Sequence, residues 1–128
     1  MKVKRILRFY YCADSLERAF DNLILKIASS FDGSGFDCAD RLCRIIGEKS
    51  ELAALWDYLD GIISRLPEDD NAALGEYARL RCGIKRLAPD EIKRLRRAVI
   101  KFKRRARRLD GFKRGTELVG KYYCLTSV

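Results

Sequence analysis

Residues 89–109 read Pro-Asp-Glu-Ile-Lys-Arg-Leu-Arg-Arg-Ala-Val-Ile-Lys-Phe-Lys-Arg-Arg-Ala-Arg-Arg-Leu. Ile92, Leu95, Val99, Phe102, Ala106 and Leu109 recur at alternating steps of three and four, the a/d seam of a helix that needs an apolar partner along its length. Off the seam, Lys93, Arg94, Arg96, Arg97, Lys101, Lys103, Arg104, Arg105, Arg107 and Arg108 are all cationic. Pro89 occupies the first turn, where proline is favoured, and Gly111 closes the segment. Asp90 and Glu91 lie at the positive end of the helix dipole, Arg107 and Arg108 at its negative end.

Working outward, the rest of the chain predicts helices able to cover that seam. Pro67 and Pro89 are the only prolines in 128 residues, which favours long helices over a loop-rich β fold. The segment 3–11, rich in aromatic and β-branched residues, reads as a short strand or an extended arm. Asp14 and Glu17 are spaced as a capping box, followed by Leu16, Phe20, Leu23, Ile24 and Ile27 at helical spacing to about Ser30. Phe31 to Gly35 is a loop by its two glycines. A second helix runs from near Asp37 to Gly47. Ser50 caps a third with the stripe Leu52, Leu55, Trp56, Leu59, Ile62, Ile63 and Leu66, unless Gly47 is only a weak point in one long helix. Pro67 ends that segment, and Glu68, Asp69 and Asp70 open a fourth helix over about 69–82, with Gly83 as its C′ residue. Residues 116–123 form a short last helix. The expected fold is a single all-α domain over 1–128, a bundle of five or six helices, with the basic helix docked on the stripes of helices 14–30 and 50–66.

Composition narrows the function. No apolar run approaches the ~20 residues of a membrane span, and the basic N-terminus lacks a following apolar stretch, so a cytoplasmic protein is expected. There is no histidine, and the five cysteines (Cys12, Cys38, Cys43, Cys82, Cys124) form no C-x-x-C pair. Neither a zinc site nor a His-dependent nucleophile is expected, and the cysteines read as small buried hydrophobes. Acid pairs such as Asp57/Asp60 and Glu48/Glu51 read as solvated helix faces. No enzyme activity and no cofactor are expected.

Charge is the strong signal. Residues 10–78 carry fourteen acids against six bases, and 79–121 seventeen bases against four acids, within a net charge of +9. Lys93/Arg97, Arg97/Lys101, Lys101/Arg105 and Arg104/Arg108 are like-charge pairs at i,i+4, each costing about 0.2–0.5 kcal/mol, so something outside the helix must offset them. Phosphate suits this need. The expected contacts are Arg94, Arg97, Lys101, Arg104, Arg105 and Arg108, which follow one helical track, and the expected function is a small non-enzymatic nucleic-acid-binding protein. The alternative is a protein-interaction module, or a homodimer, whose basic helix meets an acidic partner surface. A third outcome is internal neutralisation by Glu17, Asp21, Asp57 and Asp60.

Residues 62–109 also resemble the C-terminal promoter-binding region of bacterial sigma factors. The resemblance is carried by Leu66-Pro67-Glu68-Asp69-Asp70, the helix from Leu74 to the Gly83 turn, the pair Glu91-Ile92, and the end Arg105-Ala106-Arg107-Arg108-Leu109. The family separates its last two helices by a glycine-containing turn, which this sequence lacks. What the resemblance implies is a DNA partner rather than RNA, and a role in transcription regulation.

Overall fold

The computed structural model describes residues 3–29, 35–80 and 87–122, with side chains from residue 38 onward in the second stretch. Among them the chain is all helix: α1 (Val3–Tyr11), α2 (Ala13–Ser29), α3 (Gly35–Ile63), α4 (Glu68–Arg79), α5 (Pro89–Arg105), a 3₁₀ turn (Arg107–Phe112) and α6 (Lys113–Lys121). The bundle of five or six helices expected from periodicity is what forms. None of the helices is long and apolar enough to cross a membrane.

α3 is the spine. Its stripe of Cys38, Ile45, Leu52, Leu55, Leu59 and Ile63 is buried without a break across Gly47. Nothing lies within 4 Å of where a Cβ on Gly47 would project, so that glycine marks neither a turn nor a close crossing. Its cost of ~1 kcal/mol is too small to interrupt a continuous apolar face. The two helices anticipated at 37–47 and 50–66 are therefore one, and Ser50 is an exposed mid-helix residue rather than a cap.

α1 corrects the expectation of a strand. Ile6, Leu7 and Phe9 are buried, with Val3, Tyr10 and Tyr11 packed against the same core, a helical spacing with Lys4, Arg5 and Arg8 between. The helix wedges against α4 and α6 and touches α2 and α3. Polar pins fix it in place. Tyr10 Oη donates to Asp60 Oδ1 at 2.6 Å, and its ring stacks on Trp56 at 5.2 Å, while Trp56 Nε1 donates to the Tyr10 carbonyl. Tyr11 Oη donates to Asn71 Oδ1 at 2.6 Å, and its ring lies 3.3 Å from the Cβ position of Gly75, a close crossing of α1 and α4. Burial pushes the Tyr11 phenol up to about 12, against the opposing charge of Arg79, so both tyrosines hold their protons as donors.

α2 starts at Ala13, one residue before the anticipated cap, and its first amide bonds go to the Cys12 carbonyl. Asp14 thus sits inside the first turn. α4 follows Pro67, with Glu68, Asp69 and Asp70 in its first turn, and ends at Leu80, whose backbone is extended. Gly83, Cys82, Cys124 and Tyr123 lie outside the described residues, as does the expected loop at 31–35 apart from Gly35, the first residue of α3. Of the other cysteines, Cys38 is buried, Cys12 half-buried and Cys43 exposed, so Cys43 departs from the buried role expected for it.

α5 packs principally on α4 and secondarily on α3, and α2 is not among its main neighbours. Its buried line is Leu95, Ala98 and Phe102, while Ile92 and Val99 of the anticipated seam are half-buried. The α-helix stops at Arg105, four residues early. Ala106 adopts φ −89°, ψ 35°, and the chain tightens into the 3₁₀ turn. Ala106 and Leu109 still reach the core, and the Arg108 amide donates to Tyr58 Oη at 3.1 Å, a ring that stacks on Phe112. The apolar seam survives where the helix does not. α6 then returns across α3, with Gly115 lying 3.3 Å, measured from its Cβ position, from the Leu55 side chain.

Phe102 is 1% exposed whereas Ile100, two residues away, is 50% exposed. Phe102→Ala is expected to lower unfolding free energy by about 3–5 kcal/mol, and Ile100→Ala to stay within about 0.5 kcal/mol of wild type. Urea denaturation of the two variants checks this pair.

Candidate nucleic-acid interface

A helix that buries one stripe must show the remainder of its circumference to solvent. On α5 that remainder holds Lys93, Arg94, Arg96, Arg97, Lys101, Lys103, Arg104 and Arg105, all exposed. At 1.5 Å per residue the helix offers a cationic arc about 18 Å long from Lys93 to Arg105. The short-range repulsion along it is intrinsic to the sequence, so the identity of nearby anions decides how much positive charge is left.

The acids expected to neutralise it do not do so. Asp21 pairs with Lys49 at 3.0 Å, Asp60 accepts from Tyr10, and Glu17 and Asp57 line a cleft on the α1–α2–α3 side. Docking on α4 presents a different set. Asp69, Asp70, Glu76 and Glu91 share with Arg94, Arg97 and Lys101 a groove of about 550 Å³ between α4 and α5. Within it Lys101 Nζ meets Asp70 Oδ2 at 2.7 Å, and Asp70 is 14% exposed. This is the only ion pair made by α5 among the described residues. A half-exposed lysine in such a pair contributes at most about 1 kcal/mol and remains available to another anion.

The six anticipated contact residues therefore divide. Arg94, Arg97 and Lys101 border the mixed-charge groove. Arg104 and Arg105 lie beyond it toward the C-terminal end, with no carboxylate within ion-pair distance among the described residues. Arg108 is exposed on the 3₁₀ turn, so it does not continue the α-helical track of the other five. Arg105 Nη1 donates to the carbonyl of Arg65 at 3.4 Å, which brings the exposed Arg65 beside this end of α5. Arg65 sits in the acidic half of the chain, and nothing in the sequence marks it as a neighbour of residue 105.

Part of the C-terminal basic segment is used inside the fold. Glu48, read from spacing as part of a solvated pair, is 4% exposed. Lys121 Nζ donates to its Oε1 at 3.0 Å, Arg114 lies at 3.8 Å, and Tyr122 Oη donates to Oε2. Burial alone would raise the Glu48 carboxyl. The hydrogen bonds from Tyr122 and Lys121 and the charges of Lys121 and Arg114 outweigh it, so the group is held below its ordinary value. The charged form of Lys121 is held correspondingly, its ammonium raised chiefly by the bond to Glu48.

Among the described residues no three His, Cys, Asp or Glu side chains gather as a metal site. Compared with known proteins, the chain matches no family model, no curated protein and no solved structure.

Because the Glu48 carboxyl is depressed by folding, its contribution to stability is complete above the unfolded value of about 4.3 and is lost as pH falls through the folded one. Glu48→Gln is expected to flatten the acid limb of the stability profile below about pH 4.5. Urea midpoints measured across that range check it, and an unchanged acid limb would show that Glu48 is not ionised in the fold.

Proposed function

We propose that the protein is a small non-enzymatic nucleic-acid-binding protein that holds duplex DNA through phosphate contacts from α5 and the turn that follows it. One observation carries this reading. Of eight exposed Lys and Arg side chains on α5, only Lys101 is in an ion pair among the described residues. A row of unmatched cations on a rigid helix releases condensed counterions on meeting a phosphate backbone, and that entropy gain drives association. Arginine adds bidentate geometry toward phosphate oxygens.

The contact residues are Arg94, Arg97, Lys101, Arg104, Arg105 and Arg108, with Arg65 alongside. Arg104, Arg105 and Arg108 supply the stronger part, because no acid among the described residues pairs with them. Lys101 exchanges Asp70 for phosphate at little net cost. α5 carries no Asn or Gln, the side chains that read adenine edges bidentately, so any base reading by this helix falls to its Arg and Lys side chains at guanine. The choice of DNA and of a transcriptional role rests on the likeness of residues 62–109 to the promoter-binding region of sigma factors.

Fluorescence anisotropy with a labelled duplex tests the proposal. Five or six phosphate contacts give a log–log slope of affinity against salt near −5. Arg104→Ala with Arg105→Ala is expected to shallow that slope by about 2. Absence of binding to duplex and single strands alike at low salt would overturn it.

A further inference from the structure

Ile100 lies 50% exposed in the middle of the cationic arc. Its neighbours one turn away on the same face are Arg96 and Arg97 on one side and Lys103 and Arg104 on the other, all exposed. A phosphate backbone offers nothing to a branched aliphatic side chain. Phosphate contact therefore explains the ring of cations and leaves its centre without a role.

The complementary arrangement occurs on another face of the same molecule. α1, α2 and α3 enclose an open cleft of about 270 Å³ whose wall includes Phe9, Leu16, Phe20 and Trp56. Asp14, Glu17 and Asp57 line it too, exposed and in no ion pair among the described residues. The one cation on the lining, Lys49, is already held by Asp21. An apolar pocket edged by three carboxylates faces outward from a protein whose most basic helix presents an apolar knob among four cations, all seven charges without an ion pair among the described residues.

We infer that this cleft receives the α5 arc of a second copy of the chain. Ile100 enters the apolar wall, and Arg96, Arg97, Lys103 and Arg104 meet Asp14, Glu17 and Asp57. The contact joins two different patches, so it is head-to-tail, and each copy retains one open patch until the assembly closes on itself. It is small and charge-assisted, which makes it weak and salt-sensitive. It uses cations that the duplex would also use, so a copy seated in a cleft has less of its arc left for phosphate. The inference stands independently of the duplex reading, because its warrant is the match between Ile100 and the cleft.

Sedimentation velocity on the full chain without nucleic acid, over a micromolar to millimolar series at low salt, reads the contact. The expected result is a weight-average mass that rises with concentration and returns to the monomer value at high salt. Ile100→Ala, which leaves the core untouched, is expected to weaken association about tenfold. Reversing the cleft (Asp14→Lys, Glu17→Lys, Asp57→Lys) and reversing the arc (Arg96→Glu, Arg97→Glu, Lys103→Glu, Arg104→Glu) each abolish it, and an equimolar mixture of the two folded variants restores a heterodimer. A wild type that stays monomeric throughout overturns the inference, as does an Ile100→Ala variant that associates as strongly as wild type. Duplex binding is measured separately on the wild type. A chain that binds duplex but never self-associates sinks only the present inference, and one that self-associates without binding duplex sinks only the function proposed above.

Discussion

A helix with a single apolar stripe and cations around the rest of its circumference has only one orientation in which it can dock. Burying an unpaired ammonium or guanidinium costs several kcal/mol, so Leu95, Ala98 and Phe102 face inward and the charges face out. Which acids come near the charges of α5 follows from where that stripe lands. On α4 it brings the cations at one edge of α5 against Asp69, Asp70 and Glu76. Asp69 and Asp70 also sit in the first turn of α4, where they favour the dipole of their own helix. One pair of acids thus serves two elements, and the acids of α2 are left to face elsewhere.

Among the described residues, ion pairs between the two halves of the chain form at two points. Asp70 with Lys101 is one, at the rim of a groove. Glu48 with Lys121 and Arg114 is the other, and its position is interior. A buried carboxylate is tolerated only when its lone pairs are occupied, and Tyr122 and Lys121 occupy them directly. This cluster ties the last helix back to the spine at a point where Gly115 already brings α6 close to Leu55. Neither point reaches the outer face of α5, whose charge is consequently a property of the folded surface and not only of the composition.

The elements with explicit punctuation were legible in the sequence: Pro67 with its acids, Pro89 with Asp90 and Glu91, and the apolar spacing of α2. The elements without it were not. Residues 3–11 are too few, and too rich in aromatic and branched side chains, for periodicity to choose between strand and helix. Contact with α4 and α6 makes the choice. Gly47 and Ser50 look like a stop and a start, yet the stripe running through them is stronger than either local preference. The end of α5 was misplaced for a similar reason. Ala106 and Leu109 keep helical spacing, while the conformation between them is set by Tyr58, fifty residues away from Arg108 in sequence. For the candidate site, the cations were legible residue by residue, but Asp70 and Arg65 as their neighbours depend on how α4 and α3 approach α5.

That approach bears on the polarity that α5 already has from its acids at one end and its arginines at the other. Its first turn carries Asp90 and Glu91, and Asp70 meets it further along, at Lys101 in the second half of the helix. Its C-terminal end carries Lys103, Arg104 and Arg105, with Arg107 and Arg108 on the turn and Arg65 alongside. Past Lys101 no carboxylate lies within ion-pair distance of α5 among the described residues, and the cations continue onto the 3₁₀ turn. The partial negative charge at the α5 C-terminus offsets this only slightly, being about half a unit against several full ones. The break at Ala106, which looks like a flaw in a long amphipathic helix, takes Arg108 off the α-helical track that holds Arg97 and Arg104.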